Sequence, residues 1–595
     1  MGKLVFDRQK INKENILDVK LFEQILKSDN FKELEEELYK IVEEMKIKTK
    51  FEKLYLPYKK LYIQANNKLN FGEEAPHKVL YGGQYRIEQG RYIISGQNRE
   101  VCAQLIQPVT IYENVEEAKQ LVQCAYLTRK GWKYFVIDRA DLLHNGRIIK
   151  LAQRGVDVST CNAGLVVKYI QDMINMNEDL LFEKRSISRL GWFGDDFIPY
   201  DENVAYDGDD NFKEAFDSIK EEGSFETWLE EMYSIRNNVA VRLLHATSFA
   251  SVLLRKLKKK SFVTMLWGTT GDGKTVAGMT AMSIWGNPAG GKLMFTLNNT
   301  DNFYYRTANF FYDLPIFFDE LETYRGDINR LIMNITEGVD RGKAKVDGGT
   351  EKNKSWNNAF IMTGEHTASD ASSGGGTLNR LIEINSDGRL IEDGAKTVDV
   401  IMENHGHAGK IFIEKLKTIP KEKLREVYDY ECAELLKLVN TENKQAQNMA
   451  LLLLADVIAC KFIFTKQNPL QPKDVAEFMF TKEEIDVSER AYESVCDEIA
   501  MNRNRFILKD DNSLRTMEGG YTGVGEMWGA IGTYDITINK KKLAKILAES
   551  GYSMNKTLKD WYKKGYIEKS TQGKFGVCTT VGGIKSYYVV IKKKG

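Results

Sequence analysis

Apolar and polar positions recur with different periods along the chain, and the changes of period divide it. Residues 1–60 carry Lys, Glu and Leu at helical spacing, as in Phe31-Lys32-Glu33-Leu34-Glu35-Glu36-Glu37-Leu38-Tyr39, which predicts a solvated amphipathic helix pair. In 61–220 the texture shifts to short β-branched and aromatic runs broken by Gly and Asn, such as Tyr92-Ile93-Ile94-Ser95-Gly96 and Trp132-Lys133-Tyr134-Phe135-Val136-Ile137-Asp138. That pattern predicts a mixed α/β domain. A helix is expected from Phe225 through Leu257, ending in the basic cluster Arg255-Lys256-Leu257-Lys258-Lys259-Lys260, because cations suit a helix C-terminus. It opens an α/β core over 221–390. Residues 391–515 read as mostly helical. Their apolar run from Met449 to Cys460, interrupted by Asp456, is too short to span a bilayer and predicts a buried helix.

The last segment, 516–595, predicts two helices and strands. Asn539–Glu549 and Met554–Lys564 are the helices, the second with Ser553 at its cap. Gly565–Lys569 and Gly576–Thr580 read as strands around a turn at 571–574. Helix–turn–helix plus hairpin is a winged helix, whose second helix, with Lys556, Lys559 and Lys563, suits a DNA groove. The fold class expected is therefore multidomain α/β: a phosphate-loop core, a mixed α/β N-terminal region, a helical segment and a C-terminal winged helix.

The chemistry concentrates in 221–390. An apolar strand, Phe262–Trp267, runs into Gly268-Thr269-Thr270-Gly271-Asp272-Gly273-Lys274-Thr275 and then into a helical run. Glycines let successive N–H groups point at phosphate oxygens, and a helix N-terminus adds partial positive charge. Lys274 supplies charge to the β- and γ-phosphates of ATP, and Thr275 takes a position on Mg²⁺. A second apolar strand, Leu314–Phe318, ends in Asp319-Glu320, 45 residues after Lys274. Asp319 suits the Mg²⁺ shell and Glu320 suits polarisation of a water, which favours hydrolysis over kinase chemistry. A third strand, Ala359–Thr363, places Thr363 at its tip to orient that water. Arg380, after the glycine run 374–376, is placed to reach a neighbouring subunit's nucleotide as an arginine finger does.

These motifs together resemble AAA+ ATPases, and within them the uncharacterised-domain ATPases of mobile-element replication helicases. Ile284-Trp285-Gly286-Asn287-Pro288, Thr296-Leu297-Asn298-Asn299-Thr300, Asp313-Leu314-Pro315 and Thr363-Gly364-Glu365 stand in that family's order. Gly131-Trp132, Gly155-Val156-Asp157-Val158 and Gly191-Trp192 are similar to its N-terminal part, so the resemblance covers about 125–390. It extends to replication initiator helicases of staphylococcal cassette chromosomes and pathogenicity islands, a group described as similar to MCM helicases. The resemblance implies a hexameric ring that hydrolyses ATP at subunit interfaces and moves along single-stranded and forked DNA, with 3′→5′ polarity and with replication-initiation partner proteins. Asn379-Arg380-Leu381 resembles the Ser-Arg-Phe around the MCM arginine finger, whereas Thr363 stands where MCM-type ATPases usually carry Asn. The alternation Asp340–Gly349 falls at the position of the MCM presensor hairpin, so Lys343 and Lys345 are expected to grip DNA phosphates. Two other readings stand beside the helicase: an origin-remodelling initiator or loader without unwinding, and a non-catalytic DNA-binding protein.

Composition sharpens this in one respect. The chain has 595 residues, 84 Lys+Arg against 84 Asp+Glu, and a net charge of zero, which excludes a uniformly basic coat. Resolved by segment, 535–595 holds 14 lysines, no arginine and 4 acidic residues, a net +10, so 1–534 carries −10. The absence of Arg there favours phosphate contact over guanine readout. Seven scattered cysteines without a CxxC pair, and a start lacking an apolar signal core, lead us to expect a reduced, cytoplasmic protein with neither zinc nor membrane contact.

Overall fold

The computed structural model describes residues 11–201, 204–340, 354–370, 373–386, 388–508, 526–570 and 573–594. They form two compact units. One runs through Ser188 and includes 204–207; the other comprises Arg189–Asp201 and the chain from Gly208 onward.

The first unit begins with three helices rather than a pair: α1 (Val19–Leu26), α2 (Phe31–Glu44) and α3 (Lys48–Asn66). The Asp18 side chain accepts a hydrogen bond from Lys20 N and starts the extra helix α1. Phe22 and Ile25, then Leu34, Leu38 and Ile41, then Phe51 and Tyr55, recur at helical steps and are buried together. Next comes a five-stranded sheet of β1 (Ile106–Asn114), β2 (Gln120–Thr128), β3 (Gly131–Asp138), β4 (Phe182–Ile187) and β5 (Val204–Tyr206), in the order β5-β4-β1-β2-β3. β1 to β3 form an antiparallel meander, and β4 joins β1 in parallel. The helix α4 (Ala163–Met176) buries Val166, Tyr169, Ile170 and Met173 in the same core as Ile111, Val122 and Cys124.

In the second unit the helix expected over 225–257 is three helices: α5 (Phe225–Ile235), α6 (Val239–Ser251) and α7 (Leu254–Leu257). Asn238 causes the first break. Its side chain accepts from Ala240 N and Val241 N at 2.9 and 3.3 Å, a capping geometry that competes with helix continuation.

A five-stranded parallel sheet follows, built from β6 (Phe262–Trp267), β7 (Met294–Thr296), β8 (Ile316–Asp319), β9 (Ala359–Gly364) and β10 (Leu381–Asn385). Its order is β7-β8-β9-β6-β10. Every residue of β8 and β9 is buried, as a sheet covered on both faces requires. The helix α8 (Lys274–Ser283) starts directly after β6, and α9 (Ile328–Glu337) lies between β8 and β9 in sequence. Two of the motifs that carry the family resemblance meet below this sheet. Trp192 N donates to the buried Asp313 carboxylate at 2.9 Å, and Arg255 Nε donates to it at 2.7 Å.

The helical layer beyond the sheet includes α10 (Asn443–Phe462), which holds the apolar run and is buried along most of its length. Asp456, which interrupts that run, is fully buried and receives Arg236 at 2.7 Å and Arg242 at 2.5 Å. Burial opposes its ionisation, but hydrogen bonds from Arg242 and the charges of both arginines prevail and hold its pKa below the usual range. Arg236 also donates to His245 Nδ1 at 3.2 Å, so the imidazole proton sits on Nε2, which donates to Thr280 Oγ1 at 2.9 Å. Burial, and then the two neighbouring arginines, push the His245 pKa well down, keeping the ring neutral. Thr280 in turn donates to Ala277 O at 2.7 Å. One buried polar chain thus joins α10, α5, α6 and α8.

The C-terminal module is a sheet of β11 (Phe506–Leu508), β12 (Gly529–Ile531), β13 (Asp535–Asn539), β14 (Val577–Val581) and β15 (Ile584–Lys592), ordered β11-β12-β13-β15-β14. Against it pack α11 (Val487–Met501), α12 (Lys540–Glu549) and α13 (Met554–Lys563). The Gly565–Lys569 segment is not a strand; only Ile567 bridges Ile591. The hairpin is β14–β15, turned by Gly582 and Gly583 at φ 58 and 80, the left-handed pair that suits a two-residue hairpin. The turn expected at 571–574 lies partly outside the described residues. Ser553 stands at the N-cap of α13 without making a side-chain cap bond. Glu489 of α11 clasps the module, accepting from Lys564 and Tyr566, each at 2.5 Å, and from Lys594. Burial works against its charge, yet the hydrogen bonds from Lys564, Lys594 and Tyr566 lower its pKa to about 2. Among the described residues, no helix is long and apolar enough to cross a membrane.

Asp456→Ala leaves the buried Arg236 and the part-buried Arg242 without their counter-ion and is expected to cost about 3–5 kcal/mol in urea unfolding. Glu489→Gln is expected to cost about 1–3 kcal/mol at pH 7. The Glu489 contribution is complete above its ordinary pKa of 4.5 and is lost as pH falls towards 2. Urea midpoints of parent and Glu489→Gln, taken from pH 7 downward, therefore converge below pH 4.5.

Candidate functional site

Parallel strands deliver their carboxyl ends to one edge of the sheet, and β9 lies between β6 and β8. The loop leaving β6, the Asp319-Glu320 pair leaving β8 and Thr363 on β9 therefore face one cleft of about 670 Å³. Lys274, Thr275, Asp319, Glu320 and Thr363 all line it.

The loop Gly268–Thr275 closes on itself. Gly273, at φ 88, is the N-cap of α8, a backbone conformation that a residue with Cβ rarely adopts. A Cβ on Gly268 would lie 1.8 Å from Ser386 Oγ, which itself donates to Asp272 Oδ2 at 2.8 Å. Leu390 N donates to Asp272 O at 2.9 Å, so the segment after β10 anchors the loop from one side. Thr270 Oγ1 donates to Glu365 Oε1 on the other. Lys274 Nζ donates to Gly268 O at 3.0 Å and Thr269 O at 2.7 Å, folding the ammonium over its own loop.

The acidic side is equally ordered. Asp319 is buried and its Oδ1 accepts from Thr275 Oγ1 at 3.2 Å and from Thr363 Oγ1. The Thr275 hydroxyl at the start of α8 and the Asp319 carboxylate at the end of β8 form a hard oxygen donor set suited to a magnesium ion that keeps water and phosphate ligands. Thr363 spends its hydroxyl on Asp319, so it fixes that carboxylate. Glu320 follows at φ 62, in the left-handed region where a non-glycine residue is strained. Its carbonyl accepts from Thr323 N at 3.0 Å and Thr323 Oγ1 at 2.7 Å, which holds the turn while the carboxylate stays exposed.

Arg380 is not in this cleft. Val263 pairs with Leu381, so Arg380 lies beside the start of β6, roughly 16–20 Å along the strands from the loop. There its guanidinium donates to Gly376 O at 2.8 Å and to Glu337 at 3.2 Å. Lys556, Lys559 and Lys563 share the exposed face of α13, opposite the buried Thr557, Leu558 and Trp561. Lys343 and Lys345 lie outside the described residues. The described residues on either side of that segment form an antiparallel pair, with Val339 bridging Ser355 and Asp340 N donating to Lys354 O at 2.9 Å.

The sequence reading missed Arg389 and Glu365, both of which line the cleft. Glu365 stood in a quoted motif, but its bond to Thr270 depends on tertiary placement. Arg389 had no signal beyond following Gly388 after a strand. A larger cavity of about 930 Å³ lies beside Asn298, Asn299, Arg306 and Arg325. It contains no residue of the Gly268–Thr275 loop, so the smaller cleft is the chemically equipped one.

Residues 90–356 match a domain of unknown function, DUF927, and residues 486–594 match the Cch helix turn helix domain. Among solved structures, the fold is similar to that of "SCCmec type IV Cch - active helicase", with a TM-score of 0.62 and 16% identity, over 86% of this chain and 97% of that one. The A-form apo structure of the NrS-1 C-terminal region aligns over 63% of this chain and 88% of that one at 11% identity, but a TM-score of 0.23 supports no shared fold. No curated protein sequence matches the chain. The protein is thus a multidomain α/β chain with a Cch-like fold and a C-terminal helix–turn–helix module.

Proposed function

We propose that the chain is an ATP-driven DNA helicase of the AAA+ MCM-like type, which assembles as a hexameric ring. On this reading it works in the cytoplasm, moves along single-stranded DNA and, with replication-initiation partners, starts replication of a mobile genetic element. The observation that carries the reading is the convergence of Lys274, Thr275, Asp319 and Glu320 on one cleft at the carboxyl edge of the parallel sheet. The likeness to the fold of a protein titled an active helicase agrees with it.

ATP binds with its phosphates on the loop N–H groups and the N-terminus of α8. Lys274 exchanges the Gly268 and Thr269 carbonyls for β- and γ-phosphate oxygens. Thr275 and Asp319 hold Mg²⁺, which when bound neutralises charge on the phosphate oxygens. Thr363 keeps Asp319 aimed. Glu320 takes a proton from the water that attacks the γ-phosphorus, while the bond to the β–γ bridging oxygen breaks and ADP leaves. Arg380, too far from its own chain's cleft, donates to the transferring phosphate of a neighbouring copy. Lys343 and Lys345, and Lys556, Lys559 and Lys563 on α13, meet DNA phosphates.

Strand displacement on a forked duplex tests this. The parent is expected to displace the strand only with ATP and Mg²⁺, while Lys274→Ala and Glu320→Gln each lower ATP turnover by about 100-fold or more. Glu320→Gln should still bind ATP. A parent that hydrolyses ATP without displacing a strand removes the helicase reading and leaves an initiator or loader. A parent that does neither removes the motor.

A further inference from the structure

Three charged side chains meet at the amino edge of the parallel sheet, the edge opposite the cleft. Glu337, the last residue of α9, accepts from Lys260 Nζ at 2.9 Å on one carboxylate oxygen and from Arg380 at 3.2 Å on the other. Arg380 is the most enclosed of the three, with 15% of its side chain exposed, while Glu337 is 53% exposed. The guanidinium also donates through Nη1 to Gly376 O at 2.8 Å, and the same nitrogen lies 3.4 Å from Met333 Sδ.

A carboxylate at a helix C-terminus faces the negative end of the helix dipole, a location that favours cations. The anion is retained there by its two cationic partners. The hydrogen bond from Lys260 outweighs burial and, with the charges of Lys260 and Arg380, keeps the Glu337 pKa below the usual range. An ion pair this open to solvent is weak and readily exchanged for another anion. Arg380 therefore sits on its own chain in an arrangement that a phosphate can displace.

We propose that Glu337 is a positioning residue that restrains Arg380 on its own chain, so that Arg380 reaches a neighbouring copy's nucleotide only by exchanging the Glu337 carboxylate for phosphate. The proposal rests on the ATPase reading above and deepens it. Glu337 touches neither nucleotide nor DNA; it acts through Arg380. Its role is to lower the resting rate of hydrolysis, since each turnover must first break the contact within the chain. Lys260 belongs to the same device. It neutralises half of the carboxylate and so keeps the hold on Arg380 weak enough to release.

The test is steady-state ATP turnover by the full chain, with parent, Glu337→Gln, Glu337→Asp, Arg380→Gln and the double variant Glu337→Gln/Arg380→Gln. Glu337→Gln is expected to raise kcat about three-fold or more, with KM for ATP within about two-fold of the parent, because the chain's own nucleotide cleft is untouched. Glu337→Asp keeps the charge and is expected to stay near the parent rate. The double variant is expected to match Arg380→Gln, as a residue acting only through Arg380 requires. The inference is overturned if Glu337→Gln leaves kcat unchanged or lowers it. It is also overturned if Glu337→Gln raises turnover on the Arg380→Gln background. A parent with no ATP turnover overturns the ATPase reading instead, and the two failures are distinct.

Discussion

A parallel sheet has two unlike edges, and in this protein everything chemical depends on that constraint. All carboxyl ends of the strands open on one side, where backbone turns into loops and helix N-termini. Inserting β9 between β6 and β8 brings three separate stretches of sequence to that side within hydrogen-bond reach. The Thr275, Asp319 and Thr363 side chains are linked there although 88 residues separate the first from the last. The amino edge has a different character. It presents Lys260, Glu337 and Arg380, which cannot reach the cleft of their own chain.

The helical layer is tied to α8, the helix that follows the glycine loop, by a polar chain rather than by apolar packing alone. Asp456, Arg236, His245 and Thr280 are all buried and all hydrogen-bonded, so a run of polar groups through the interior is tolerated. Its far end, Thr280, is on the helix that begins with Lys274. Replacing one member orphans the next, so α10 and α8 are held in a single register. Apolar packing supplies most of the stability, while the polar chain fixes which arrangement is adopted.

The glycine loop, the Asp319-Glu320 pair and the third strand were legible because each is a contiguous chemical signal. Gly, Lys and Thr must stand at set intervals between an apolar strand and a helix, and no tertiary information is needed to see them. The two C-terminal helices were legible for a similar reason, since lysines and buried positions alternate at helical steps. What escaped was set by local competition or by tertiary contact. Asn238 turned a continuous amphipathic pattern into separate helices through one side-chain cap. Gly582-Gly583 moved the hairpin turn some ten residues beyond the Thr571–Lys574 segment that composition favoured. Glu365 and Arg389 entered the cleft, and Glu337 met Arg380, through folds of the chain that periodicity does not record. The buried partners of Asp456 were equally invisible, although the interruption itself was plain.

The division between the two edges makes a direct demand: on this account a complete hydrolytic site needs the cleft of one chain and Arg380 of another. Mixing Lys274→Ala chains with Arg380→Ala chains is the most direct measurement of that claim. Each variant alone is predicted to be inactive in ATP hydrolysis. After random co-assembly in equal amounts, about a quarter of interfaces pair an intact cleft with an intact arginine, and activity is predicted to return in that proportion. A mixture as inactive as its components would contradict the account, as would an Arg380→Ala chain that hydrolyses ATP at the parent rate on its own.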